Sequence, residues 1–271
     1  MKQLSNSQLT NQELFVKEHQ KHHHQVTAYR ILIFVLFLLL WEFSVFFGWL
    51  DPFFFASPSR VILCFIDLII NKSLFMHIGI TLLETLISFL LVFIISLFVA
   101  TALWYSGKLS EVLEPYLVIL NSLPKSALAP LFIVWLGTGM STIIVAGISV
   151  AVFGSIISFF TAFQQISQAE ITLIYTLGGN KNHALTKVVL PGSIPTLIST
   201  AKVNIGLSLV GVIIGEFLAA RRGLGYLIIY GSQVFQLDMV ITSIIILCII
   251  AMGFYKVIQF IEHYIKKKSL N

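Results

Sequence analysis

The chain has 271 residues, of which 57% are hydrophobic and only 11% charged, with a formal net charge of +5 at pH 7. Soluble chains carry roughly 25% charged residues, so a mean hydropathy of +0.93 excludes a water-soluble enzyme or a nucleic-acid-binding domain; a basic rim against membrane lipid accounts for the charge without nucleic acid. Length is therefore better converted into spans of about 20 residues, with room for about six, and the expected fold class is an all-α integral membrane protein.

Residues 1–30 read as a polar tail. Its "HQKHHHQ" (His19 to Gln25) has no companion Cys or acidic ligands nearby, so a basic tail is preferred to a metal-binding tract. The first apolar run, "ILIFVLFLLLWEFSVFFGWL" (Ile31 to Leu50), is followed by Asp51 and Pro52 and not by a small-residue cleavage site, and reads as a retained helix. Further spans are expected at about 77–105, 115–136, 142–163, 194–219 and 239–261, each long enough for about 30 Å of hydrocarbon. The transmembrane domain would thus occupy 31–265, with a short tail at 266–271. Cys64 and Cys248 sit singly among apolar neighbours and form neither a disulfide framework nor a metal site.

Six crossings place both termini on one side. Lys2, Lys17, Lys21, Arg30, Lys108, Lys181, Lys187, Lys256 and Lys266 to Lys268 fall on that face, and Arg60, Lys72, Arg221 and Arg222 on the other. Cytoplasmic loops carry the excess of Lys and Arg, so both termini are expected in the cytoplasm of a multi-pass protein of the cell membrane.

One stretch breaks the apolar pattern: "TLGGNKNHALTKVVLPGSIPTL" (Thr176 to Leu197), between the fourth and fifth spans. Leu177, Leu185, Val188 and Val189 offer apolar points among Asn180, Lys181, Asn182, His183 and Lys187, which implies a short amphipathic helix. Gly178 and Gly179 allow a tight turn or a close approach to a partner, while Pro191 and Pro195 are expected to stop one helix and start the next. By composition such a helix could lie on lipid or plug into a second protein.

The segment resembles the cytoplasmic loop of the membrane subunits of binding-protein-dependent ABC importers, which reads approximately Glu-Ala-Ala, three residues, Gly, nine residues, Ile, one residue, Leu-Pro. Gly178, Val188, Val189, Leu190 and Pro191 match the second half in register; Thr172, Leu173 and Ile174 stand where Glu-Ala-Ala would be, and Glu170 comes two positions early. From about Ile31 onward the chain is similar to the nitrate, taurine and aliphatic-sulfonate permeases, in "SPSRVILCFIDLI" (Ser57 to Ile69), "TLLETLISFLLVFIISL" (Thr81 to Leu97), "SLPKSALAPLFIVWLGTGMS" (Ser122 to Ser141) and "VGVIIGEFLAARRGLGYLI" (Val210 to Ile228).

The resemblance implies a type I importer fold of six spans with a coupling helix at about 178–190. Two copies of this chain would form the pathway, two ATPase subunits would drive it, and an extracytoplasmic solute-binding protein would deliver the solute. Leu177, Gly178, Gly179, His183, Val188, Leu190 and Pro191 would couple to the ATPase, whose own ATP and Mg would be the only cofactors. Gly223, Leu224 and Gly225 in "AARRGLGYLI" would form an external gate or docking surface, the alternative being an ordinary turn with an interfacial aromatic anchor. A nitrate, taurine or other sulfonate-type anion is the first solute expected, and a pyrimidine thiamine precursor the next.

No G-x-x-x-x-G-K-[ST] phosphate loop occurs, nor H-E-x-x-H or G-x-S-x-G, so the chain is not expected to be an enzyme itself. Ionisable groups at membrane depth are costly and face the bundle or water. Glu42, Glu84, Lys125, Lys202 and Glu216 either pair within the bundle, or Lys125, between Pro124 and Pro130 in a broken helix, lines the pathway with Glu84 and Glu216. The rival functions are a secondary transporter or a channel working without an ATPase; no internal repeat favours the former.

Overall fold

The computed structural model describes residues 11–71 and 73–269, and among these every regular element is helical. Lys2 and Lys72, used above for orientation, and the last two residues of the C-terminal tail lie outside the described residues. The chain divides between Leu63 and Cys64 into two compact units.

The first unit is dominated by α1 (Asn11–Phe46), 36 residues long. The helix begins well before Ile31, so the polar stretch is helical from Asn11 onward: extending a formed helix costs far less than nucleating one, and the Gln, Glu and Lys residues ahead of the apolar run are good helix formers. After a turn at Gly48, with φ +72°, comes α2 (Pro52–Phe55), capped by Asp51, whose Oδ1 accepts the Phe53 N–H at 2.8 Å. At the start of α3 (Pro58–Ile70), the carboxylate of Glu42 accepts the N–H of Ser59 at 3.0 Å and its hydroxyl at 2.7 Å. Glu42 is therefore a capping group for a neighbouring helix.

The second unit is built on α4 (Ser73–Tyr105), α7 (Met140–Gln164) and α10 (Leu190–Ala219). Lipid supplies no hydrophobic force between helices, so close packing and hydrogen bonds must hold them. A Cβ on Gly211 of α10 would lie 2.8 Å from the Ala146 carbonyl oxygen, and one on Gly147 of α7 would lie 2.5 Å from Ser88 Oγ of α4. Ser88 and Ser96 donate to the carbonyls of Ile144 and Val152, each at 3.3 Å. Phe159, Phe163, Val92, Ala100 and Val189 fill the core nearer one end.

The third expected span is two helices, α5 (Gly107–Ser122) and α6 (Lys125–Leu136), bent by 96° where they meet. Pro124 drives Leu123 into extended geometry, with φ −64° and ψ 139°, so the helix must stop there. Among the described residues five helices are long and apolar enough to cross a membrane, and a sixth if the bent pair is counted as one span. Gly137 and Gly139, both at positive φ, make the short turn into α7.

Two shorter helices flank α10: α8 (Gln168–Thr176) before it and α11 (Leu224–Gln233) after it. The final helix, α12 (Leu237–Ser269), continues through Lys266 to Lys268, so the expected separate tail at 266–271 is helical as far as it is described.

Candidate functional site

Two constellations sit at opposite ends of α10, whose 30 residues place them about 45 Å apart along the helix axis. At its N-terminal end, the Gly pair closes α8. Gly178 has φ +80°, its N–H bonds to the Tyr175 carbonyl at 3.0 Å, and the Gly179 N–H bonds to the Ile174 carbonyl at 2.8 Å. These paired bonds are a Schellman cap, which satisfies carbonyls the helix would otherwise leave open. A Cβ on Gly178 would meet open space, whereas one on Gly179 would lie 2.5 Å from Ile174 Cγ2. The glycines thus serve a turn within the chain.

Asn180 then caps a short helix, α9 (Lys181–Ala184). Its side chain accepts the His183 N–H at 3.0 Å, while His183 Nδ1 accepts the Asn180 N–H at 3.2 Å. Lys181 donates to the Tyr105 carbonyl at 2.9 Å and lies over the Trp104 ring, and the Tyr105 hydroxyl bonds to Asn182. The loop is thereby tied to the end of α4.

The expected free-standing helix at about 178–190 is not what forms. α9 passes through a π-helical turn, Leu185–Val189, directly into α10, making one helical run from Lys181 to Ala219. Pro191 neither ends a helix nor begins a separate one. Its missing N–H and its ring are absorbed by the wider π turn, a common way to carry a proline inside a helix. Ala184, Leu185 and Val189 are buried against the bundle, with Val188 and Leu190 partly so. The apolar side chains left exposed are Leu173, Tyr175 and Leu177, on and just after α8.

At the other end of α10, Glu216 reaches into the start of α11. Its carboxylate accepts the backbone N–H groups of Gly225, at 2.5 Å, and Tyr226, and the Thr81 hydroxyl at 2.6 Å. Thr81 in turn accepts the Leu224 N–H at 2.8 Å, and His77 Nδ1 accepts the Gly223 N–H at 3.0 Å. The first N–H groups of a helix have no partner within it, and a carboxylate there also opposes the positive end of the helix dipole. α11 is thus capped by side chains from α4 and α10. The packing leaves no room for other residues: a Cβ on Gly223, at φ +115°, would lie 2.4 Å from the Glu216 carboxyl carbon, and one on Gly225 would lie 2.8 Å from Glu216 Oε2.

Glu84, also buried, hydrogen-bonds to Glu216. The structure therefore joins two sets of residues that the sequence left separate, Glu84 with Glu216 and Gly223 with Leu224 and Gly225. Lys125 makes its contacts elsewhere, with the Leu120 carbonyl and the Phe153 ring, and Lys202 pairs with Glu262 of α12. His77, Thr81 and Glu262 were missed in the sequence; the recurrence of polar residues at His77, Thr81, Glu84 and Ser88, three or four apart along an apolar helix, was the available signal.

Residues 92–269 match the family described as binding-protein-dependent transport system inner membrane component. The chain belongs to that family. The inner membrane component is 30% identical over 236 residues to a probable ABC transporter permease protein of Haemophilus influenzae, covering 86% of this chain and 94% of that one. It is 25% identical to the formylaminopyrimidine transport permease protein ThiX of Halalkalibacterium halodurans, over 72% of this chain and 77% of that one. It is 24% identical to the putative aliphatic sulfonates transport permease protein SsuC of Bacillus subtilis, over 81% and 80% respectively. An inward-facing structure of the MetNI methionine ABC transporter shares the fold, with a TM-score of 0.62 and 21% identity, over 71% of this chain and 96% of that one. The component is accordingly a multi-pass permease subunit of the ABC importer class.

Proposed function

We propose that this permease subunit lines a six-span importer driven by a separate ATPase, with both termini in the cytoplasm and the α8 end of the bundle docked on that ATPase. The carrying observation is that Leu173, Tyr175 and Leu177 are exposed at the end of the bundle while Gly178, Gly179, Asn180 and His183 hold the segment rigid. An apolar, well-fixed helical projection can fill a groove on a partner, so that closure of an ATPase dimer becomes rigid-body movement of α10. ATP and Mg would act in the partner. Leu177, Gly178, Gly179 and His183 act in this reading through the shape of the cap, and Val188, Leu190 and Pro191 through the continuity of the run into α10.

A second identical chain completes the pathway, and an extracytoplasmic solute-binding protein docks near Gly223, Leu224 and Gly225. A sulfonate, taurine or nitrate-like anion is the preferred solute and a pyrimidine thiamine precursor the second. The relatives named for sulfonates and for formylaminopyrimidine support this range of solutes.

The test is affinity capture of the tagged chain from solubilised membranes, with and without Leu173→Asp and Leu177→Asp. Capture of an ABC ATPase by the parent chain and its loss from the substituted chain, with membrane insertion unchanged, is the expected result. Undiminished capture would move the docking surface elsewhere, and solute uptake by the chain alone without ATP would make it a secondary transporter.

A further inference from the structure

A hollow of about 400 Å³ lies on one face of the bundle, where Asn121 of α5, Ser158 of α7, and Ser199, Thr200 and Asn204 of α10 place polar groups in a wall completed by Gly154 and the apolar Val203 and Leu207. Asn121 and Ser199 are exposed, Ser158 and Thr200 partly so, and Asn204 is buried, donating to Ser155 Oγ at 2.8 Å. The residues on α7 and α10 belong to helices long and apolar enough to cross the membrane. Hydrocarbon offers no partner to an amide or a hydroxyl, so a group of such side chains at membrane depth requires water, solute or another protein chain in front of it.

No ionisable side chain is among the lining residues. A cation lies near them: Lys125 Nζ contacts the Leu120 carbonyl and lies 5.1 Å from the Phe153 ring centroid, and these residues immediately precede Asn121 and Gly154 in the chain. Lys125 therefore sits near the hollow with its charge not paired to Glu84 or Glu216, while Lys202, beside Val203 on α10, has its charge matched by Glu262.

Resting on the permease reading above, we infer that this hollow is the solute-contact surface of the translocation path. It takes a small solute rich in hydrogen-bond acceptors and carrying a negative charge, of the sulfonate kind. Neutral hydroxyls and amides exchange hydrogen bonds with a passing oxyanion without holding it fast, and one nearby ammonium favours its charge without the deep trap that a directly coordinating lysine would create. The wall contains both donors and acceptors, which lets successive solute oxygens replace bulk water.

The experiment uses the full chain in its native membrane assembly, with Cys64→Ala and Cys248→Ala removing background thiols. Single Ser158→Cys and Ser199→Cys variants are treated with two water-soluble methanethiosulfonates, one bearing a sulfonate and one a quaternary ammonium. Each rate is divided by that reagent's rate with free 2-mercaptoethanol. Phe98→Cys, on an exposed apolar face of α4, is the lipid-facing control.

At least about tenfold faster modification of the two hollow positions than of the control is expected, because a thiol in hydrocarbon is closed to ionic reagents. At Ser158→Cys the sulfonate reagent should react severalfold faster than the cationic one, and Lys125→Met should remove that preference. Equal modification of hollow and control positions overturns the site; equal rates for the two reagents overturn the anionic class. ATPase capture from the same membranes reports separately on the permease reading, so a failed hollow and a failed importer give different results.

Discussion

Glu216 Oε2 accepts the backbone N–H of Gly225 at 2.5 Å, across a turn that separates α10 from α11. The carboxylate is nearly enclosed, at 1% exposure, and with Thr81 and His77 it supplies the acceptors for the first N–H groups of α11. Glu216→Ala should leave the N–H groups of Gly225 and Tyr226 buried without partners, at about 1–3 kcal/mol each. The expected outcome is a clear fall in thermal stability of the solubilised protein and detachment of α11, read as faster proteolysis after Arg222. Thr81→Val should produce a smaller loss in the same assay, because only the Leu224 N–H and one bond to Glu216 are affected.

The two glycines that close α8 predict different behaviour. Gly178→Ala places a Cβ in open space but at φ +80°, a strain of about 1–2 kcal/mol for a residue other than glycine. Gly179→Val forces a branched side chain against Ile174, so the cap must open. ATPase capture should fall modestly for the first substitution and be lost for the second, with insertion unchanged in both.

Lys202 and Glu262 tie α10 to α12, with their side chains only 18% and 14% exposed. Removing one partner of a fully buried pair costs about 3–5 kcal/mol, while replacing both is often neutral; partial exposure here brings the first figure down. Lys202→Met and Glu262→Gln should each lower the unfolding temperature, and the double variant should recover most of the loss. An additive double variant would show that the pair contributes nothing beyond its separate members.

The proposed orientation is tested at the turn between α9 and α10. Lys187 is exposed on the turn that joins α9 to α10, so Lys187→Cys in a background free of other cysteines should react with an impermeant thiol reagent only in inside-out vesicles. Labelling from outside intact cells would reverse the assignment of both termini.

The amino-acid sequence by itself determined the solvent, the helical class, the break at Pro124 and the loop that interrupts the apolar pattern. Composition, span length and the restriction that proline places on its predecessor are local quantities, legible without neighbours. The register of Gly178 with Leu190 and Pro191, together with the segments at Ser57 to Ile69, Thr81 to Leu97, Ser122 to Ser141 and Val210 to Ile228, also carried the resemblance to the family. Tertiary structure decided the rest, for reasons that local patterns cannot carry. A π turn absorbs Pro191, so the helix that sequence placed at 178–190 became the beginning of α10, and α8 carried the exposed apolar surface instead. Glu216 found backbone N–H groups and not a lysine, because folding α11 back toward α10 exposes helix-end donors that a carboxylate satisfies at close range. Lys202 found Glu262, 60 residues away in the chain, because only the packing of α10 against α12 makes them neighbours.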